Sequence, residues 1–586
     1  MARSEATGAT ELNLMLNPSK KSLTLLPLAL CLCASVQAAD ITSGKELWLF
    51  GGGEPICSSV ELKRCAPDKQ AQAAAYFQQH QGVTQKIFRP DATRIAELKA
   101  LPKWPDKAAR AQQVKPLLLT KLEQMQNKDW PEDSWYSEFE RFELSDDEQN
   151  LLDDVFEQRP VLKDGSTAQV KVYFDGTELY VQQMFQHFIQ SAKNRALARA
   201  KTSGAAAVAK VTAQKPKLVL ISASSNSPMD WVDYYLQLFN AAGADAVWLP
   251  IEPALVQAGN CDTLDEDRFR WNGQYKRSER YPELAAYQQQ MCRNPQLMQQ
   301  MLLEADAIFI NGGDQSLTMR SLQKKPGEFT ELAKLLHQRI DAGVPLAGSS
   351  AGTAVQAGYT KKKIPMISGG QTVKALQYGA YATEPNAPLC QYHQSCSSDL
   401  DGSWLTYRAA GGLQSFTLGV TDTHFRERNR EGRLLRLLID TNTDFGFGMD
   451  EATVLRANFI DPDTAQLQVE GRGGVWIADA SAAKAKAVKQ GDKTTGWAAS
   501  GMKFSRLLAG DTAFFQQGIQ QAKLQCTAPD LVDNSKVAPD TYSAVDGRVW
   551  QALPGQVQAC QREDGHWRYL NLPMSLQVAY ESAGDL

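Results

Sequence analysis

The chain is 586 residues long, with 62 Lys+Arg against 66 Asp+Glu, a formal net charge of -4, 43% hydrophobic and 22% charged residues. This near-balance excludes a nucleic-acid coat, and the composition is that of a folded globular protein. The length suits two to four units at roughly 150 residues per domain, and beyond the N-terminus no apolar run approaches the roughly 18 to 20 residues of a membrane helix.

Residues 1–38 read as an export signal, with Met15 as an alternative start. Lys20 and Lys21 give a basic start, residues 23–36 an apolar stretch, and Val36-Gln37-Ala38 a small-residue site for cleavage after Ala38. A short buried helix is the bland reading, but it explains neither the basic start nor the small-residue end. The expected location is periplasmic or extracellular, with no membrane span after signal removal. The eight cysteines that remain fall into sequence-near pairs: Cys57 and Cys65, Cys261 and Cys292, Cys390 and Cys396, Cys526 and Cys560. An even count suits disulfides in an oxidising compartment, and nearest-neighbour pairing is the expectation, although spacing alone does not fix it. No C-x-x-C occurs, so no metal site is expected.

Residues 46–50 read as a buried strand running into Gly51-Gly52-Gly53. The stretch 61–213, rich in Gln, Lys, Ala and Glu at helical spacing, reads as a mainly helical insertion that exits through residues 204–210. From Lys217 a strand (217–222), a helix (231–242), a strand (246–250), a loop-rich segment with Cys261 and Cys292, and a strand (307–310) alternate. That rhythm predicts an α/β fold with a parallel sheet covered on both faces. After Leu455 short alternating strands follow at 466–469 and 474–477. The expected division is a catalytic domain of residues 39–60 and 214–518, the insertion 61–213, and a C-terminal extension 519–586 that reads as an appendage.

Gly348-Ser349-Ser350-Ala351-Gly352 follows an apolar strand end and fits the nucleophile-elbow pattern G-x-S-x-G. Such a sharp turn pushes the central serine out of the sheet edge, which makes Ser350 the nucleophile and the Ala351 N–H an oxyanion donor. The bland alternative is a Gly/Ser turn that binds nothing. Residues 308–310 end in Asn311-Gly312-Gly313-Asp314-Gln315, a second glycine turn at a sheet edge where ligands bind. It offers the Gly313 N–H as a second donor and Asp314 and Gln315 as substrate contacts, or simply a helix cap at Asp314 or Ser316. His424 follows a strand-like stretch downstream and is the candidate base. Beside it stand Arg426, Arg428, Arg430 and Arg433. A run of this kind is often a solvated face, but next to a reactive histidine it is also a carboxylate site. Asp314 or Asp422 would meet a guanidinium or free amine.

Taken in order, residues 47–54, Gly312 to Gln315, Gly348 to Gly352, Asp422-Thr423-His424-Phe425 with Arg428, Arg430 and Arg433, and Gly448-Met449-Asp450-Glu451 resemble the cyanophycinase family. That family also contains dipeptidase E, and its fold is related to class I glutamine amidotransferases. The resemblance implies a parallel-sheet sandwich and a serine exopeptidase without metal or organic cofactor. It implies a polymer of aspartate backbone and arginine side chains as substrate, cut to β-aspartyl-arginine dipeptides. Ser350 would be nucleophile, His424 base, and Gln315, Asp422, Arg428, Arg430 and Arg433 the pocket. A homodimer is compatible with the sequence.

Two departures stand out. In the family an acid completing the triad follows the nucleophile by some 15 to 20 residues, yet no Asp or Glu occurs between Ser350 and Glu384. Gln371 stands at the expected position, with Glu384 as the substitute, and loss of the acid function costs about 10⁴ in kcat in serine proteases. Thr423 also stands where the family usually has Gln. The competing readings are a catalytically impaired binding protein on the same scaffold, and an esterase or amidase of general acyl specificity.

Overall fold

The computed structural model describes residues 44–101, 104, 108–490, 492–526, 530–533, 548–561, 565 and 567–579. The expected export signal, residues 1–38, lies outside them. The fold is mixed α/β. Its main sheet has nine strands in the order Ile519–Lys523, Thr512–Gln516, Thr464–Gly471, Thr453–Asp461, Glu46–Phe50, Leu346–Ser349, Ala307–Ile310, Lys217–Ile221 and Asp245–Trp248. The last five run parallel. The strands before them pair antiparallel, starting with Thr453–Asp461 against Glu46–Phe50.

The parallel strands are continuous apolar runs because both faces are covered. Alternate side chains point to opposite faces, so Leu47 and Leu49 join one core with Ile308, Ile310 and Leu346, while Trp48 and Phe50 join another with Phe309 and Ala347. The Leu179–Ser203 helix covers the second face through Val181, Met184, Phe185 and Phe188, with Phe185 stacked on Phe50 at 5.1 Å. A buried polar knot fixes its register. Glu46, wholly enclosed, pairs with Arg195 and with Arg456 at 2.7 Å, and accepts from Ser191 Oγ and Trp48 Nε1, each at 2.8 Å.

The expected 61–213 insertion therefore divides. Its long last helix belongs to the α/β core, whereas Phe88, Trp104, Trp135, Leu152 and Phe156 gather into a core of their own. The 519–586 segment is no appendage either: a boundary at 519 falls inside the hairpin formed by Thr512–Gln516 and Ile519–Lys523. The Trp567–Ala579 strand pairs along Lys493–Leu508 in a second nine-stranded sheet, burying Leu570, Leu572, Met574, Leu576 and Val578 at every second position. That sheet also holds Val420–Asp422 beside Phe445–Met449 in parallel. All four sequence-near cysteine pairs are disulfide-bonded. No helix among the described residues is long and apolar enough to cross a membrane.

Candidate active site

Ser350 sits between the Leu346–Ser349 strand and the Ala351–Ala354 helix at φ 53°, ψ -114°, a conformation that non-glycine residues adopt only under constraint. The constraint is crowding. A Cβ on Gly348 would lie 2.0 Å from the Gly352 carbonyl oxygen, and one on Gly352 would lie 2.1 Å from that of Ile310. The Ser350 N–H donates to the Phe50 carbonyl at 3.1 Å, anchoring the turn to the first strand. Ala351 opens the following helix, so its N–H has no carbonyl four residues back.

His424 Nε2 lies 2.7 Å from Ser350 Oγ, and His424 Nδ1 lies 2.6 Å from Glu451 Oε1. The histidine follows Val420–Asp422 and the glutamate follows Phe445–Met449, so two neighbouring parallel strands deliver both residues to one edge. Gly51-Gly52-Gly53 seats them. With φ 92°, Gly52 would drive a Cβ to 2.5 Å from the His424 ring, and Gly53, with φ 67°, would place one 2.6 Å from the Glu451 carboxyl. Glu54 secures this turn, accepting from the Gly52 N–H at 3.0 Å and from Ser349 Oγ at 2.8 Å. Burial raises the Glu54 carboxyl above the usual range against those bonds. Burial lowers His424 below the ordinary imidazole value; Arg428 adds to this and Glu451 opposes it.

The sequence-derived residues distribute unevenly around this centre. Gln371 is exposed at the N-cap of the Thr372–Tyr378 helix, its N–H on the Ser403 carbonyl, and the group on His424 is Glu451 instead. Glu384 is engaged by Arg408 at 2.9 Å. Asp422 is buried against Arg433, with Arg430 at 3.5 Å, so the two guanidiniums share one carboxylate in a cluster of net positive charge. Burial works against Asp422's ionisation, yet the two guanidiniums hold its carboxyl below the usual range. Arg433 also donates to the Gly370 carbonyl. Arg428 alone of the three pocket arginines lines the cleft. Gln315 Nε2 donates to the Ile367 and Ser368 carbonyls at 2.7 and 2.9 Å and so ties down the Met366–Gly369 strand. Asp314 caps its helix through the Ser316 N–H at 2.7 Å while facing the cleft. Gly313 lines the same cleft, its backbone tight against the Ser224 carbonyl.

The cleft has a volume of about 1020 Å³. Ser350, His424 and the Gly312–Gly313 turn lie along it, and Lys86, Asp133 and Asp153 from the helical stretch wall it. Glu451 and Glu54 went unassigned at the level of sequence although both stand in the quoted blocks. Their signal was position after strand ends that carry glycines.

This geometry sets a serine, a histidine and a carboxylate in hydrogen-bond series, and residues 288–384 match the family model described as Peptidase family S51. The matched span holds Ser350 and the Gly312–Gly313 turn. Within that class the chain is similar to cyanophycinases. Cyanophycinase of Trichormus variabilis is 28% identical over 243 residues, 41% of this chain and 66% of that protein. Cyanophycinase of Geminocystis herdmanii is 29% identical over 185 residues, 31% of this chain and 53% of that protein. The chain thus spans less than two thirds of the length of these relatives. A crystal structure of a peptidase from an acI-B1 Actinobacterium aligns at 15% identity with a TM-score of 0.29, covering 58% of this chain and 94% of that one.

Proposed function

We propose that the chain is a serine-type peptidase cutting cyanophycin or related β-aspartyl peptides to dipeptides, with Ser350, His424 and Glu451 as its reacting relay. The observation that carries this reading is the pair of short contacts from Ser350 Oγ to His424 and from His424 to Glu451. As Oγ bonds to the substrate carbonyl carbon, its proton passes to His424 Nε2. The oxygen that becomes negative lies toward the Gly313 and Ala351 N–H groups. Breaking the C–N bond then takes the proton from His424 to the leaving amine, and water repeats the sequence to free Ser350. Glu451 holds the Nδ1–H tautomer and stabilises the imidazolium, the part played by the acid in serine proteases.

The likeness to cyanophycinases supports the substrate, and Arg428 beside His424 supplies a cation for a substrate carboxylate. Five parallel strands with the serine turn at their carboxyl edge support a fold of the class I glutamine amidotransferase kind. Four disulfides support export to the periplasm or beyond the cell. A scaffold that only binds was favoured by the missing acid, and Glu451 on His424 removes that ground. The test is dipeptide release from cyanophycin and from isoaspartyl peptides by residues 39–586, with Ser350→Ala beside it and fluorophosphonate labelling of both. Release of β-aspartyl-arginine that vanishes in Ser350→Ala is expected. No release with Ser350 inert to the probe overturns the reading; no release with Ser350 labelled keeps the hydrolase and discards the substrate.

A further inference from the structure

Trp231 is an anomaly in the cleft wall. It ends the short Pro228–Trp231 turn ahead of the Val232–Ala241 helix and is 43% exposed, although neighbouring Tyr234 is 7% exposed. Large aromatic side chains left uncovered in a concave wall point to a ligand surface. Contacts tie it to the reacting centre. A Cβ on Gly312 would lie 3.3 Å from Ser350 Cβ, the Tyr235 hydroxyl reaches the Gly312 backbone, and the Tyr235 ring stands 6.3 Å from that of Trp231. Tyr234 meets Trp231 edge-on at 5.7 Å and fixes its orientation. One tyrosine therefore separates the indole face from the nucleophile turn.

The charge around this face has a sign. Along the cleft lining acidic side chains outnumber lysines and arginines ten to six. Ion pairs take up three of those bases, Arg64, Arg159 and Arg277, and four of the acids, Glu61, Asp154, Glu157 and Asp230, which leaves six carboxyls against Lys63, Lys86 and Arg428. Glu132 and Asp133, from the first turn of the Glu132–Phe139 helix, share the lining with Trp231. An open indole face in an anionic cleft suits a planar cation, which gains from the ring quadrupole and from the surrounding carboxylates.

The geometry points to Trp231 as the stacking face of a subsite for a guanidinium side chain of the substrate, one residue removed from the bond that Ser350 attacks. This rests on the peptidase reading above and adds the residue that selects the side chain. It is tested by calorimetric binding of blocked argininamide and blocked citrullinamide, an uncharged isostere, to the folded Ser350→Ala protein with and without Trp231→Ala or Trp231→Phe. Argininamide should bind tighter than citrullinamide by about threefold to thirtyfold. Trp231→Ala should erase the difference and Trp231→Phe should keep part of it. Equal binding of the two ligands, or a preference that survives in Trp231→Ala, overturns the subsite. If Trp231→Ala does not fold, the Phe variant decides, since an unchanged preference there is equally contrary. A protein that hydrolyses no peptide yet prefers argininamide through Trp231 sinks the peptidase reading and keeps the subsite.

Discussion

His424 works between two opposed influences, and the balance is measurable. Burial and Arg428 lower its affinity for a proton while Glu451 raises it, so the base stays neutral to lower pH than an ordinary histidine. The acid limb of kcat/KM should accordingly fall below the usual value near 6.5, and Arg428→Gln should move it upward. A limb that stays in place in Arg428→Gln contradicts that account. Replacing the carboxylate tests the relay directly. Glu451→Gln should lower kcat by about 10² to 10⁴ with the fold intact, whereas Gln371→Ala should leave it within about twofold. The G-x-S-x-G turn was legible because its chemistry is local. Glu451 was not, because the family spacing points close after Ser350, whereas the adjacency of the Val420–Asp422 and Phe445–Met449 strands brings the acid in from 101 positions away.

Among the elements, the parallel strands were the most readable part of the fold. Residues 46–50 and 307–310 are apolar, short and bounded by turn signals, and they form the strands Glu46–Phe50 and Ala307–Ile310. Periodicity also announces the Leu179–Ser203 helix, but it cannot say against which body a helix packs, and so the helix was counted with the insertion. What commits it to the sheet is Arg195 on Glu46 beneath an aromatic layer. Arg195→Met leaves the Glu46 carboxylate buried with one partner fewer and should destabilise the protein by up to about 3–5 kcal/mol, read as a lower midpoint in urea. A midpoint within experimental error of wild type would contradict this role for the knot.

For the whole molecule, stability should depend on pH through carboxyls enclosed between the second sheet and its covering helix. Burial pushes Glu431 up to about 8, with Asp450 and Asp422 adding to the shift and Arg426 opposing it. Burial likewise pushes Asp450 up to about 6. An acid whose folded value exceeds its unfolded value binds more protons when folded, so stability is full below about 4.5 and is lost as pH rises toward about 8. Glu431→Gln should flatten that slope and stabilise the protein at neutral pH; an unchanged slope in urea titrations would refute it. The C-terminal strand belongs to the same scale. Residues 519–586 read as an appendage because the alternation at 570–578 is short and its partner across Lys493–Leu508 is distant in sequence, and pairing between distant segments leaves no local mark.

Two of the four cystine bridges close loops that line the cleft. Cys57–Cys65 encloses Val60, Glu61, Lys63 and Arg64, and Cys261–Cys292 encloses Asn272, Gly273, Gln274, Arg277 and Tyr281. The relay itself stands on strand ends and glycine turns outside those loops. Loops fixed beforehand lose little freedom on binding, so reducing these two bridges should raise KM for a substrate that touches both loops and leave kcat, which depends on the sheets, nearly unchanged.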